Sequence, residues 1–141
     1  MKQILILKEP LGAITESSSL FNNIKKIDID YKQENFLLFC LNSKNKVIHS
    51  EVIFKGGLNS CIICPKVLFR KALKYNSNSV IIAHNHPSGD LNPSDEDLSI
   101  FKKLKDSGDI LQLSVLDSII FNKKEYYSLL NGGWVKWNHT K

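Results

Sequence analysis

The chain has no long apolar run. Near its start the longest uninterrupted stretch is Ile4-Leu5-Ile6-Leu7, far too short for a membrane span or the core of a signal peptide. This predicts a cytoplasmic protein without membrane contact. Cysteine is sparse and odd in number, with Cys40, Cys61 and Cys64 only, so no disulfide framework is expected. Cys61-x-x-Cys64 lacks both a second pair and a thioredoxin-like setting, and it is assigned neither zinc nor redox work. Internal repeats, low-complexity linkers and any recognisable DNA-binding module are missing as well. The charge excess is small: 19 Lys and Arg against 14 Asp and Glu give +5, which serves solubility as well as attraction to acidic surfaces and identifies no partner.

What is present is enough for one globular domain over residues 1–141, with its core at about 20–131: 43% of the residues are hydrophobic, which suffices to bury most apolar surface without staples. Residues 2–8 read as a strand, and Ser17 to Ser19 as the cap of a helix running through Ile24. Phe36 to Leu41 is apolar throughout, as a strand covered on both faces is. A polar turn follows, then Val47 to Phe54, a strand with one more exposed face, so the two form a hairpin. Pro65 suits the first position of a helix reaching about Tyr75, with Leu68, Phe69, Ala72 and Leu73 on its apolar side. Ser79 to Ala83 is a short β-branched strand. After Ser94, Leu98, Phe101 and Leu104 recur at helical spacing until Ser107-Gly108, and Leu111 to Phe121 reads as a strand broken near Asp117-Ser118. The order β-β-α-β-α-β predicts an α/β fold, a mixed β-sheet packed with helices. Trp134 and Trp137 in the tail are expected to cover an apolar edge, with a partner contact as the alternative.

The chemistry is concentrated in the fourteen residues His84 to Asp97. His84 and His86 stand at the end of the Ser79 to Ala83 strand, where residues two apart point to one face, so both imidazoles reach a single ion at roughly 2.0 to 2.1 Å. Pro87, Gly89 and Pro93 turn the chain, and Ser94 opens a helix with Asp97 three residues on. Asp97 therefore has two readings, a helix-capping acid and a third metal ligand. Asp90 also competes for the ion, but its place in the turn suits a carboxylate bonded to local backbone. Two imidazoles and a carboxylate with one open position suit one catalytic Zn²⁺, which makes a nucleophile of water near neutral pH and needs a further acid to move protons. Glu34 and Glu51 are the candidates. Glu34 is preferred because a Phe36 to Leu41 strand antiparallel to the histidine strand places its own start beside the histidines.

The spacing H-x-H, seven residues, Ser, two residues, Asp resembles the JAMM motif of JAB/MPN metallopeptidases, and His-Asn-His-Pro-Ser-Gly-Asp with Pro-Ser-x-x-Asp is similar to the RadC branch. The likeness extends from about Leu20 to Phe121, through Gln33-Glu34-Asn35-Phe36, Lys55 to Ser60 and Pro65-Lys66. It implies a JAB/MPN, cytidine-deaminase-like architecture, with His84, His86 and Asp97 holding zinc. Glu34 would be the general base at the head of the first core strand, and Ser94 a serine that stabilises the tetrahedral intermediate. The implied reaction is hydrolysis of a peptide or isopeptide bond in a peptide or protein substrate. The chain departs from the pattern twice. Ser118 follows Asp117 where the family usually has histidine, and the N-terminal helical region of full-length relatives is not present in it.

The rival reading is a nucleic-acid accessory protein, suggested by the charge and by the DNA-repair label of RadC relatives. Lys66, Arg70 and Lys74 fall four apart on the helix after Pro65, with Lys71 beside them, and Lys102, Lys103 and Lys105 form a second cluster. Such a surface implies weak, salt-dependent binding without base reading. A scaffold without activity is the third reading, and it has no use for His84, His86, Ser94 and Asp97 together.

Overall fold

A computed structural model describes residues 20, 23–24, 26–56 and 63–130, and the backbone of 133–136. The expected strand at 2–8, the Ser17–Ser19 cap, Cys61, Trp137 and the Trp134 side chain lie outside the described residues. The elements are β1 (Asn35–Leu41), β2 (Val47–Lys55), α1 (Pro65–Lys74), β3 (Ser79–His84), α2 (Asp95–Leu111), β4 (Ser114–Phe121), β5 (Glu125–Ser128) and β6 (Gly133–Lys136). They build one mixed sheet in the order β2-β1-β3-β4-β5-β6. The β1–β2 hairpin is as expected. β1 also pairs antiparallel with β3, Phe36 opposite His84, while β3 and β4 are parallel and joined through α2.

Both faces of β1 and β3 are covered, which is why their sequences are apolar without alternation. On one face Phe36, Leu38, Cys40, Val80 and Ile82 pack against Leu68, Phe69 and Ala72 of α1 and Leu104 of α2. On the other, Leu37, Phe39, Leu41, Ile81 and Ala83 meet Leu20, Ile24, Ile119, Phe121 and Tyr126. Leu73 and Leu98 do not join the core as expected; they are 58% and 46% exposed, because each lies at the edge of its helix's apolar stripe and not at its centre.

α2 runs past Ser107-Gly108 to Leu111 and ends on Gln112, whose left-handed φ of 58° closes the helix. The expected stop at Gly108 fails for a packing reason. A Cβ on that glycine would lie 2.4 Å from the Leu113 carbonyl oxygen, so Gly108 is there for close approach of helix to chain and not as a terminator. β4 is likewise continuous. Its irregularity is one extra residue, Leu116, since Val115 pairs with Val80 and Asp117 with Ile81. That bulge reverses the alternation. Val115 faces α1 and α2, Asp117 faces the opposite core, and Ser118 returns to the helical side. No helix among the described residues is long and apolar enough to cross a membrane.

Candidate metal centre

His84 is the last residue of β3 and points to the helical face, stacked on Phe36 at 5.9 Å between ring centroids. His86 follows two residues on in the loop that Gly89 turns at φ +82°, a conformation strained for any other residue. The His86 Nδ1 lies 2.7 Å from the Asp90 carbonyl oxygen. A proton on Nδ1 donated to that oxygen leaves Nε2 as the lone-pair side of a neutral ring, the orientation metal ligation requires. Asp90 thus acts on the site through its backbone, while its carboxylate accepts from the Asn92 N–H at 3.1 Å.

Ser94 caps α2 through a capping box: its Oγ accepts from the Asp97 N–H at 3.0 Å, and the Asp97 carboxylate accepts from the Ser94 N–H at 2.9 Å. The helix-capping reading of Asp97 holds. The same carboxylate places one oxygen 3.0 Å from His84 Nε2 and the other 3.0 Å from His86 Nε2. Burial pushes its pKa up, but the two imidazoles outweigh this and hold it well below the usual carboxylate range. Asp97 in turn raises the pKa of His86.

Glu34 enters from the start of β1. Its carboxylate and the nitrogens of His84 and His86 lie within 4.8 Å of one another, forming the metal-competent group found among the described residues. Four side chains from three parts of the chain thus meet at one spot. A metal ion fits them on two grounds. The donors are two imidazoles and carboxylate oxygens, the set that divalent transition metals take. In addition, both ring nitrogens of His84 are buried without a hydrogen-bond partner; Nε2 is 3.0 Å from Asp97 but not aligned for a hydrogen bond, and such a buried nitrogen calls for a partner.

Glu51 is not part of this arrangement. It accepts from Lys71 at 3.0 Å and contacts His49 at 2.9 Å, against α1. Ser118 does line the site's cavity, together with Glu34, Ser94 and Glu96.

The residues that sequence reasoning passed over are Asn35 and Asn85. Each sits beside a site residue but points to the other face, and both are buried. The Asn85 Oδ1 accepts from the Asn35 backbone N–H at 2.9 Å and from Asn35 Nδ2 at 3.1 Å, while Asn85 Nδ2 donates to the Gln33 carbonyl at 2.9 Å. This pair fastens the segment carrying Glu34 to the segment carrying the histidines. The available signal was the asparagine between two histidines, at the alternate position of an extended chain.

Fold and site together define an α/β domain with a candidate metal centre at one end of its central strands. The chain matches the RadC-like JAB domain over residues 14–134 and belongs to that family, as its histidine motif led one to expect. It is 44% identical over 121 residues to a UPF0758 protein of Staphylococcus haemolyticus, covering 86% of this chain and 53% of that protein. A UPF0758 protein of Staphylococcus carnosus is 48% identical over 101 residues, with coverages of 72% and 45%. One of Staphylococcus aureus is 42% identical over 125 residues, with 89% and 55%. The chain spans about half the length of these relatives.

Proposed function

We propose that this domain is a zinc-dependent hydrolase that cleaves a peptide or isopeptide bond. The observation that carries the reading is the convergence of His84, His86 and Glu34 within 4.8 Å, with Asp97 3.0 Å from both imidazoles. When bound, zinc supplies Lewis acidity, lowering the pKa of water and polarising a carbonyl oxygen. His84, His86 and Asp97 would hold it. Glu34 is the further acid whose carboxylate lies within 4.8 Å of both histidines, and its part is to accept the proton of the attacking water and return it to the leaving amine. Ser94 uses its oxygen to accept from the Asp97 N–H, which leaves its hydroxyl hydrogen to donate to the developing oxyanion.

A DNA-repair accessory role has one observation in its favour: Lys66, Arg70 and Lys74 are exposed along α1. It is the weaker reading because two members of these clusters are paired, Lys71 with Glu51 and Lys102 with Asp106 at 2.8 Å, and the sequence offers no element that would read bases.

The test is elemental analysis of purified protein beside His84→Ala, His86→Ala and Asp97→Ala. One zinc per chain is expected, with loss in each variant. Wild-type zinc content in all three folded variants would overturn the ligand assignment.

A further inference from the structure

Resting on the metal centre of the hydrolase reading, we propose that Asn122 is a positioning residue for His86, acting through the turn that follows that histidine. Parallel strands advance together, and β3 and β4 pair His84 with Ile120. Two residues further on, His86 in the turn and Asn122 at the end of β4 stand at the same level. Phe121, immediately before Asn122, is fully buried, so Asn122 stands on a fixed base.

Its own hairpin sets the direction of the Asn122 amide. Oδ1 accepts from the N–H groups of Lys124 and Glu125 at 2.8 and 2.9 Å. An amide oxygen committed to two donors leaves Nδ2 to face away, and Nδ2 donates to the Gly89 carbonyl at 3.1 Å. That carbonyl belongs to the peptide unit between Gly89 and Asp90, whose N–H donates to Ser88 Oγ at 3.2 Å. The unit is held on both sides, and being planar it turns as one piece. Next along the chain is the Asp90 carbonyl that takes the His86 Nδ1 proton at 2.7 Å.

The bond matters because of where it lands. Gly89 has φ +82°, and a glycine leaves the peptides on either side of it the most freedom to rotate. The Ser88 bond spans two residues and moves with the turn. Among the described residues, the hydrogen bond that ties residues 87–92 to another strand is the one from Asn122, 33 positions away. Leu91 also anchors the turn, 2% exposed, but apolar packing is non-directional and does not aim a carbonyl. Water can satisfy either partner of an exposed bond, yet it cannot hold the turn at a set distance from β4. The tie therefore acts on geometry more than on stability, and what it governs is the aim of His86 Nε2.

The experiment uses Asn122→Asp and Asn122→Ser. Aspartate keeps the oxygen that closes the hairpin and sets a second oxygen against the Gly89 carbonyl in place of the donor. Serine is neutral and shorter by the amide. Zinc affinity by chelator competition is expected to fall roughly three- to tenfold in both, less than the roughly 10- to 100-fold that loss of a direct partner of a ligating histidine costs. In the zinc-loaded proteins, solvent exchange of the His86 Nδ1–H, followed by NMR, should quicken several-fold relative to that of His84. Loss in Asn122→Asp alone would assign the effect to the added charge and overturn the tie. A fall in affinity with the His86-to-His84 exchange ratio unchanged would mark general loosening and overturn it too, as would native affinity and exchange in both variants. Each of these leaves the hydrolase reading standing. Absence of zinc binding by the native chain overturns both.

Discussion

Two clusters in this domain contain a histidine and a glutamate on β-structure, and they end in opposite states. At the β2–α1 contact, His49 stacks on Tyr75 with ring centroids 3.6 Å apart, and Glu51 is closed off by His49 and Lys71. Every charge there has its counter-charge, and the Glu51 carboxyl, although burial pushes it up, is held below its ordinary value by those two neighbours. At the end of β1 and β3 two imidazoles and two carboxylates converge on one spot, and the buried His84 nitrogens have no hydrogen-bond partner. The lesson is that residue type does not make a site. A structural cluster neutralises itself, whereas a binding site leaves valence for something not yet there.

The largest effect that tests this contrast is on turnover. Glu34→Gln should retain zinc and fold and lose roughly 10² to 10⁴ in hydrolysis of a cleavable peptide, because an amide cannot accept the proton. Near-normal turnover by this variant, with Glu51→Gln inactive, would exchange the roles of the two clusters.

A third acid sharpens the comparison. Asp117 is buried on the opposite face, bonded to the Ser128 hydroxyl at 2.5 Å and to the N–H groups of Ser118 and Leu130 at 2.7 and 3.0 Å. Burial pushes its pKa up to about 7, against about 3.9 in the unfolded chain. Between these values the folded state keeps a proton that the unfolded state has released. Its contribution to stability is therefore full below about pH 4, falls as pH rises to about 7, and is level above, a loss on the order of a few kcal/mol. Urea midpoints across this range should show that decline in the native chain and a flatter profile in Asp117→Asn, whose amide mimics the protonated acid. Identical slopes would place the proton elsewhere.

Next in size is the asparagine pair. Asn85→Ala strands the buried Asn35 N–H, whose acceptor is the Asn85 Oδ1, and should cost about 1 to 3 kcal/mol by chemical denaturation. Turnover should drop at temperatures where the variant is still folded, since Glu34 is no longer fastened beside the histidines, while zinc content holds. The smallest effect belongs to Glu51→Gln. Its pair with Lys71 is partly open to solvent, at 26% and 37% exposure, and its loss should cost under about 1 kcal/mol with zinc content unchanged.

Much of the site was legible because its spacing is local. Two residues in a strand share a face, and a serine with an acid three positions later begins a helix, so His84, His86, Ser94 and Asp97 could be placed from short-range rules alone. Glu34 needed one long-range assumption, the antiparallel pairing of β1 with β3, and the register confirms that pairing. What local rules could not supply was the consequence of tertiary contact. The Asn35–Asn85 bond joins residues 50 apart in the chain. The single-residue bulge at Leu116 decides which way Asp117 and Ser118 face, whereas the sequence pattern there suggests only a break near Asp117-Ser118. β5 and β6 are four residues each, too short for a periodic signal. Gly108 looked like a stop because a glycine's packing role is invisible until its neighbour is known.

That glycine has a mechanical consequence. α2 is pinned at both ends, by Gly108 against the Leu113 carbonyl and by the capping box at Ser94. Asp97 and Gly108 are separated by about 16 Å of helix at 1.5 Å per residue. A side chain inserted at 108 forces either the Leu113 backbone or the helix to give way, and because a helix is stiff along its axis, any shift of it reaches the far end that carries the Asp97 carboxylate. α2 is in this sense a lever whose fulcrum is a missing methyl group, and the fit between Asp97 and the two imidazoles is set partly by a position that touches neither.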